Sequence, residues 1–100
     1  MAHAMQITEG EQSAKHMTDL VAEIARALVD SPESVSVETI EDGEVTVIRL
    51  RVAQNDVGKV IGKQGRTARS LRTILSAASM KQKHRFSLDI LEDREAPAQV

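Results

Sequence analysis

The chain contains no cysteine, no tryptophan and no tyrosine, and its single phenylalanine is Phe86. Without cysteine there are no disulfides, no zinc–thiolate centres and no thiol nucleophile. With one aromatic ring, an RNA platform that stacks bases on aromatic side chains is disfavoured. Phe86 itself falls on the apolar side of an alternating segment and reads as core. No apolar run approaches the roughly 18 residues needed to span a bilayer. The opening MAHAMQITEGEQSAKH has no hydrophobic stretch of the kind a secretory signal requires. The expectation is a cytoplasmic protein with no membrane partner.

One further absence is local. The net charge of −2 would by itself argue against nucleic acid, yet no Asp or Glu occurs from Val57 to Leu88. That stretch carries Lys59, Lys63, Arg66, Arg69, Arg72, Lys81, Lys83 and Arg85, while acid gathers elsewhere, as at Asp19, Glu23, Glu38, Glu41, Asp42 and Glu44. A split in sign of this length points to a basic patch on an acidic protein, against the plainer alternative of an unevenly charged solvated surface. Catalytic and metal readings find little support. His3 and His16 lie near the start, and His84 sits among Lys81, Lys83 and Arg85, where a surface role or a phosphate contact fits better than general base. No His, Asp or Glu cluster has metal-ligand spacing, so neither enzyme activity, metal nor cofactor is expected.

At 100 residues the chain makes one domain. Residues 1–16 are polar and aperiodic and read as a mobile N-terminal extension; residues 92–100 read as a flexible tail. Between them, in 17–91, periodicity is strong. Met17, Leu20, Val21, Ile24, Ala25 and Leu28 recur at helical spacing, opened at Met17 or Thr18 and closed by Asp30-Ser31-Pro32. Val35, Val37 and Thr39 alternate with polar residues as a strand. Asp42-Gly43 is the expected hairpin pair before a second strand, Val45 to Val52. Asn55 or Asp56 caps a short helix with Val57, Val60 and Ile61 on its buried side. A longer helix after Gly65 runs to about Ser79, buried through Ala68, Leu71, Leu75 and Ala78. Phe86, Leu88 and Ile90 alternate in a last strand. The order αββααβ gives an α+β fold. The first two strands form an antiparallel hairpin, and the third returns parallel to the second. The result is a three-stranded mixed sheet with helices packed on one face.

The segment Val57-Gly58-Lys59-Val60-Ile61-Gly62-Lys63-Gln64-Gly65-Arg66 joins the two later helices. Glycine lets another backbone approach the main chain closely. A helix beginning after Gly65 turns free N–H groups and its positive end toward an anion, with Lys63 and Arg66 adding charge at the same place. A bare G-x-x-G is also a common helix–turn–helix hinge. A mononucleotide P-loop does not fit, because Gly58 and Gly62 have the wrong spacing and Gln64 stands where a magnesium-binding hydroxyl is required.

The element order resembles a type II KH domain, and V-I-G-K-Q-G-R resembles its Gly-x-x-Gly loop. Ala27-Leu28-Val29-Asp30, Leu50-Arg51-Val52-Ala53 and Asp56 to Arg66 resemble the small free-standing bacterial KH proteins of the KhpA (YlqC) family, over about Met17 to Leu91. The resemblance implies single-stranded RNA binding, with Gly62, Lys63, Gln64 and Gly65 clamping the backbone of about four nucleotides. Lys63, Gln64 and Arg66 would contact phosphates, with Lys59 and Arg69 as nearby cations. Bases would lie in an apolar groove whose candidates are Val57, Val60, Ile61 and Leu71, each of which also fits a plain core role. The implied role is a post-transcriptional regulator or RNA chaperone. The implied protein partners are a second copy, as a homodimer, or a larger KH-containing protein of the KhpB/Jag type. The alternative function is a protein-interaction module in which RNA contact is incidental, with Ala77-Ala78-Ser79 small enough for close packing.

Overall fold

The computed structural model describes residues 9–92, with side chains from Ala14 onward. Its elements are α1 (Glu9–Leu28), β1 (Ser36–Asp42), β2 (Val45–Val52), α2 (Val57–Ile61), α3 (Arg66–Gln82) and β3 (Arg85–Glu92), with single 3-10 turns at Pro32–Ser34, Gln54–Asp56 and Lys63–Gly65. The order is the αββααβ of the sequence reading. β2 is the central strand, antiparallel to β1 and parallel to β3.

Strict alternation in β2 explains the two-layer build. Thr46, Ile48, Leu50 and Val52 are fully buried, while Val45, Val47, Arg49 and Arg51 turn to the other face. The buried side meets Val21 and Ala25 of α1, Val60 of α2, Leu71 and Leu75 of α3, and Phe86 and Leu88 of β3. The opposite face is held by cross-strand charge. Glu38, Arg49 and Asp89 share one row. Arg51 Nη2 lies 3.5 Å from Glu38, and Arg49 Nε lies 3.9 Å from Asp89. Arg49 is therefore less wet than its sequence position indicates.

Several boundaries differ from the sequence reading. α1 starts at Glu9, so residues 9–16, expected in a mobile extension, are helical. Ala14 and Met17 prolong its apolar stripe, and a Lys15–Asp19 ion pair of 3.1 Å spans one turn. Residues 1–8 and 93–100 lie outside the described residues. Leu20 and Leu28, expected in the core, are 38% and 39% exposed, because the sheet covers only the stripe centred on Val21 and Ala25. The hairpin turns at Gly43-Glu44, one residue later than expected, since Asp42 already pairs with Val45. α3 runs three residues past Ser79, to Gln82, and ends on Lys83 in a left-handed conformation. Ser79 donates to the Leu75 carbonyl (2.9 Å) and accepts from Phe86 N–H (3.0 Å), tying α3 to β3 rather than standing free for a partner.

Candidate nucleic-acid interface

The chain leaves β2 at Val52 and reaches the Gly62–Gly65 loop within one short helix. Gly62 has φ 81° and ψ 168°, a region essentially closed to other residues. A Cβ there would also strike Thr67, 2.7 Å from its Cβ and 2.8 Å from its backbone nitrogen. Gln64 (φ 57°) and Gly65 (φ 73°) follow in left-handed conformations. Gly62 N–H closes α2 on the Gly58 carbonyl at 2.8 Å, and Gly65 N–H closes the loop on the Gly62 carbonyl at 3.0 Å. The loop is thus a fixed turn whose glycines are required by backbone conformation. Over Gly65 the nearest atom to an added Cβ is Arg69 Nη2 at 3.9 Å, so its main chain is open to close approach.

α3 begins at this point with no side-chain cap. The first amide of the helix, Arg66 N–H, is taken by the Lys63 carbonyl, and the positive end of the 17-residue helix lies at the loop. Lys63, Gln64, Arg66 and Arg69 are exposed around it. Arg66 Nη2 donates to Gln64 Oε1 and Arg69 Nη2 to the Gln64 carbonyl, both at 3.3 Å. These are long, solvated bonds that an anion can displace.

Beside the loop, α2, α3 and β3 enclose a cleft of about 470 Å³ lined by Ile61, Gly65, Ala68, Arg69, Arg72 and Ile90. Of the sequence candidates, Ile61 lines it and is 37% exposed. Val60 (0% exposed) and Leu71 (5%) are core and support the cleft from beneath, and Val57 packs half-buried against that core. Ala68, Arg72 and Ile90 were not singled out for this role. Ala68 and Arg72 are three and seven positions beyond Gly65, on one side of α3, and that spacing was the available signal. Ile90 shares the core side of β3 with Phe86 and Leu88 but is only half-buried.

Lys59, a candidate cation of the site, is paired with two carboxylates. Its Nζ lies 3.2 Å from Asp30 and 3.7 Å from Asp56, and the Asp30 contact holds its pKa above the ordinary lysine range. Asp56 does not cap α2. Its two oxygens accept from the N–H groups of Asp30 (3.1 Å) and Ser31 (3.0 Å), fastening the loop helix to the end of α1. Burial pushes the Asp56 pKa up, but these two N–H groups and Lys59 outweigh it and bring it below its ordinary value.

A larger concavity of about 670 Å³ lies at the other end of α3, among Gly43, Glu44, Met80, Lys83, His84 and Arg85. The acid-free segment is therefore two basic clusters, and the second faces the acidic β1–β2 hairpin. His84 belongs to that hairpin's structure. The buried Thr46 hydroxyl donates to Glu41 (3.0 Å) and lies 2.6 Å from His84 Nε2. With its one hydrogen given to Glu41, the hydroxyl accepts from His84. No group of three potential ligands that could hold a metal occurs among the described residues. Among them, too, no helix is long and apolar enough to cross a membrane.

Known proteins resemble this chain in sequence and in fold. The chain is 53% identical over 76 residues to the RNA-binding protein KhpA of Halalkalibacterium halodurans, covering 76% of this chain and all of that protein. It is 48% identical over 75 residues to that of Caldanaerobacter subterraneus, covering 75% of this chain and all of that protein. It is 50% identical over 74 residues to that of Treponema pallidum, covering 74% of this chain and 92% of that protein. Among solved structures, Era in complex with MgGDPNP and a segment of 16S ribosomal RNA shares the fold with a TM-score of 0.52 at 19% identity, over 76% of this chain and 29% of Era. The model of the KhpA/KhpB KH domain matches residues 18–90. The chain belongs to the KhpA/KhpB family of KH-domain proteins.

Proposed function

We propose that the chain binds single-stranded RNA, gripping the sugar–phosphate backbone at Gly62-Lys63-Gln64-Gly65 and seating bases in the adjoining cleft. The observation that carries this reading is the junction itself. A fixed, open glycine turn leads into the positive end of α3, with Lys63, Arg66 and Arg69 exposed around it and an apolar-floored cleft alongside. RNA as the ligand follows from the relatives, which are named RNA-binding proteins. A grip directed mainly at the backbone suits a cytoplasmic RNA chaperone or post-transcriptional regulator that handles many transcripts. A single site covers about four nucleotides. Pairing with a second copy or with a larger KH protein would place two loops on one RNA and raise the effective concentration of the second contact.

The test replaces Lys63 and Gln64 together with Asp, leaving both glycines. The two side chains are exposed, and Asp tolerates the left-handed backbone of residue 64 better than most residues. Stability should therefore change by less than about 1 kcal/mol. RNA affinity measured by fluorescence anisotropy should fall at least about tenfold, the equivalent of 1.4 kcal/mol of repulsion. Lys15→Asp, an exposed charge change on α1, is the control and should bind as the parent does. A folded double variant with parental affinity would reduce the loop to a helix hinge.

A further inference from the structure

We infer that Arg72 reads a base in the cleft, favouring bases with two adjacent hydrogen-bond acceptors, cytosine or guanine, over adenine. The inference rests on the RNA-binding reading and adds what that reading leaves open, the choice of base. Three features carry it. First, the side chains lining the cleft supply donors only. Ile61, Ala68 and Ile90 are apolar, Gly65 has no side chain, and Arg69 and Arg72 have no acceptor. Adenine is matched by a side chain that donates and accepts together, such as Asn or Gln, and none lines the cleft. Gln64, on the loop, is not among the residues that line the cleft.

Second, Arg72 already reaches the strand that closes the cleft. Among the described residues β3 pairs with β2 on one side only, which leaves its other edge without a strand partner there. Arg72 Nη2 donates to the Leu88 carbonyl at that edge, at 3.1 Å. This one contact does two things. It fixes a planar, five-donor fork at the border between the cleft and the adjoining concavity. It also occupies the Leu88 carbonyl, which lines an adjoining concavity of about 230 Å³ that shares Arg72 with the cleft. Third, Ala68 stands one turn before Arg72 on α3 and is 4% exposed. A larger side chain there would fill the space between the two arginines. Arg72 is the cleft arginine bonded to β3, while Arg69 lies toward the loop carbonyl of Gln64.

The experiment measures binding of the full chain to fluorescein-labelled octacytidylate, octauridylate and octaadenylate at one salt concentration. The parent should bind octacytidylate at least about fivefold more tightly than octaadenylate, the lower end for a bidentate arginine–base pair. Arg72→Met removes the fork and uncovers the Leu88 carbonyl. It should weaken octacytidylate binding and bring the cytidine-to-adenine ratio to one or below. Arg72→Lys keeps the charge, so overall affinity should hold while the ratio falls; circular dichroism of both variants checks the fold. The Lys63/Gln64 double variant should weaken all three probes alike and keep the ratio. A parent without preference, or an Arg72→Met variant with the parental ratio, overturns the assignment and leaves RNA binding intact. No binding to any probe removes both readings.

Discussion

Asp56 shows how much of the candidate site depends on single residues outside it. Its carboxylate is 1% exposed and accepts from two N–H groups just beyond α1, while Lys59 bridges it to Asp30. The loop helix is thereby fastened to the end of α1. The folded-state pKa is lowered from the ordinary 3.8, so this contribution to stability is fully present above that value and is lost as pH falls through the lower, folded value. Urea midpoints should therefore drop on acidification, and Asp56→Asn should both lower the midpoint at neutral pH and flatten its decline in acid. The same acid slope in both proteins would remove Asp56 as the responsible group. None of this was legible in the sequence. Asp56 fits the pattern of a helix cap, and its true partners lie 26 and 25 positions away. The Lys59 ion pair was hidden for the same reason, because only the folded chain brings Asp30 beside it. Gly62 and Gly65, by contrast, could be singled out from spacing alone, since positive φ is a local demand.

At the scale of elements, α3 is the member on which the site is mounted. Its N-terminus begins at the glycine loop, its Arg69 and Arg72 side chains line the cleft, and its opposite side enters the core. Leu75 is 2% exposed within that core. Leu75→Ala should cost roughly 2–5 kcal/mol, transfer and cavity terms together, measured by urea denaturation. A loss below about 0.5 kcal/mol would mean that α3 is not seated on the sheet as described. Helix faces of this kind are legible because burial repeats every three or four residues, and β2 was legible because burial alternates. The start of α1 was not, since Glu9 to Lys15 contains a glycine and only one apolar residue, Ala14. Its helicity is supported by continuation from the packed turns after it and by local contacts such as Lys15–Asp19.

For the whole molecule, the sign pattern of the sequence foretold one basic patch and the fold makes two. Arg66 and Lys81 stand at opposite ends of α3, about 22 Å apart at the helical rise. Only the first cluster adjoins the glycine loop; the second lies against Glu44 and the hairpin. A single loop site covers few nucleotides, so self-pairing is expected, and light scattering at high protein concentration should give the mass of a dimer. A monomer at the highest attainable concentration would exclude the homodimer and direct attention to a larger KH partner. The sequence by itself determined the αββααβ order, the parallel return of β3, the glycine turn and the cations around it. These follow from periodicity and backbone conformation, which act between near neighbours. Tertiary structure alone decided which apolar residues line the cleft and which lie beneath it, because Ile61 and Val60 are adjacent and differ only in what covers them. It alone brought Arg72 to the Leu88 carbonyl and Asp56 to the end of α1, since no local rule couples groups that meet only when the sheet and helices close on one core.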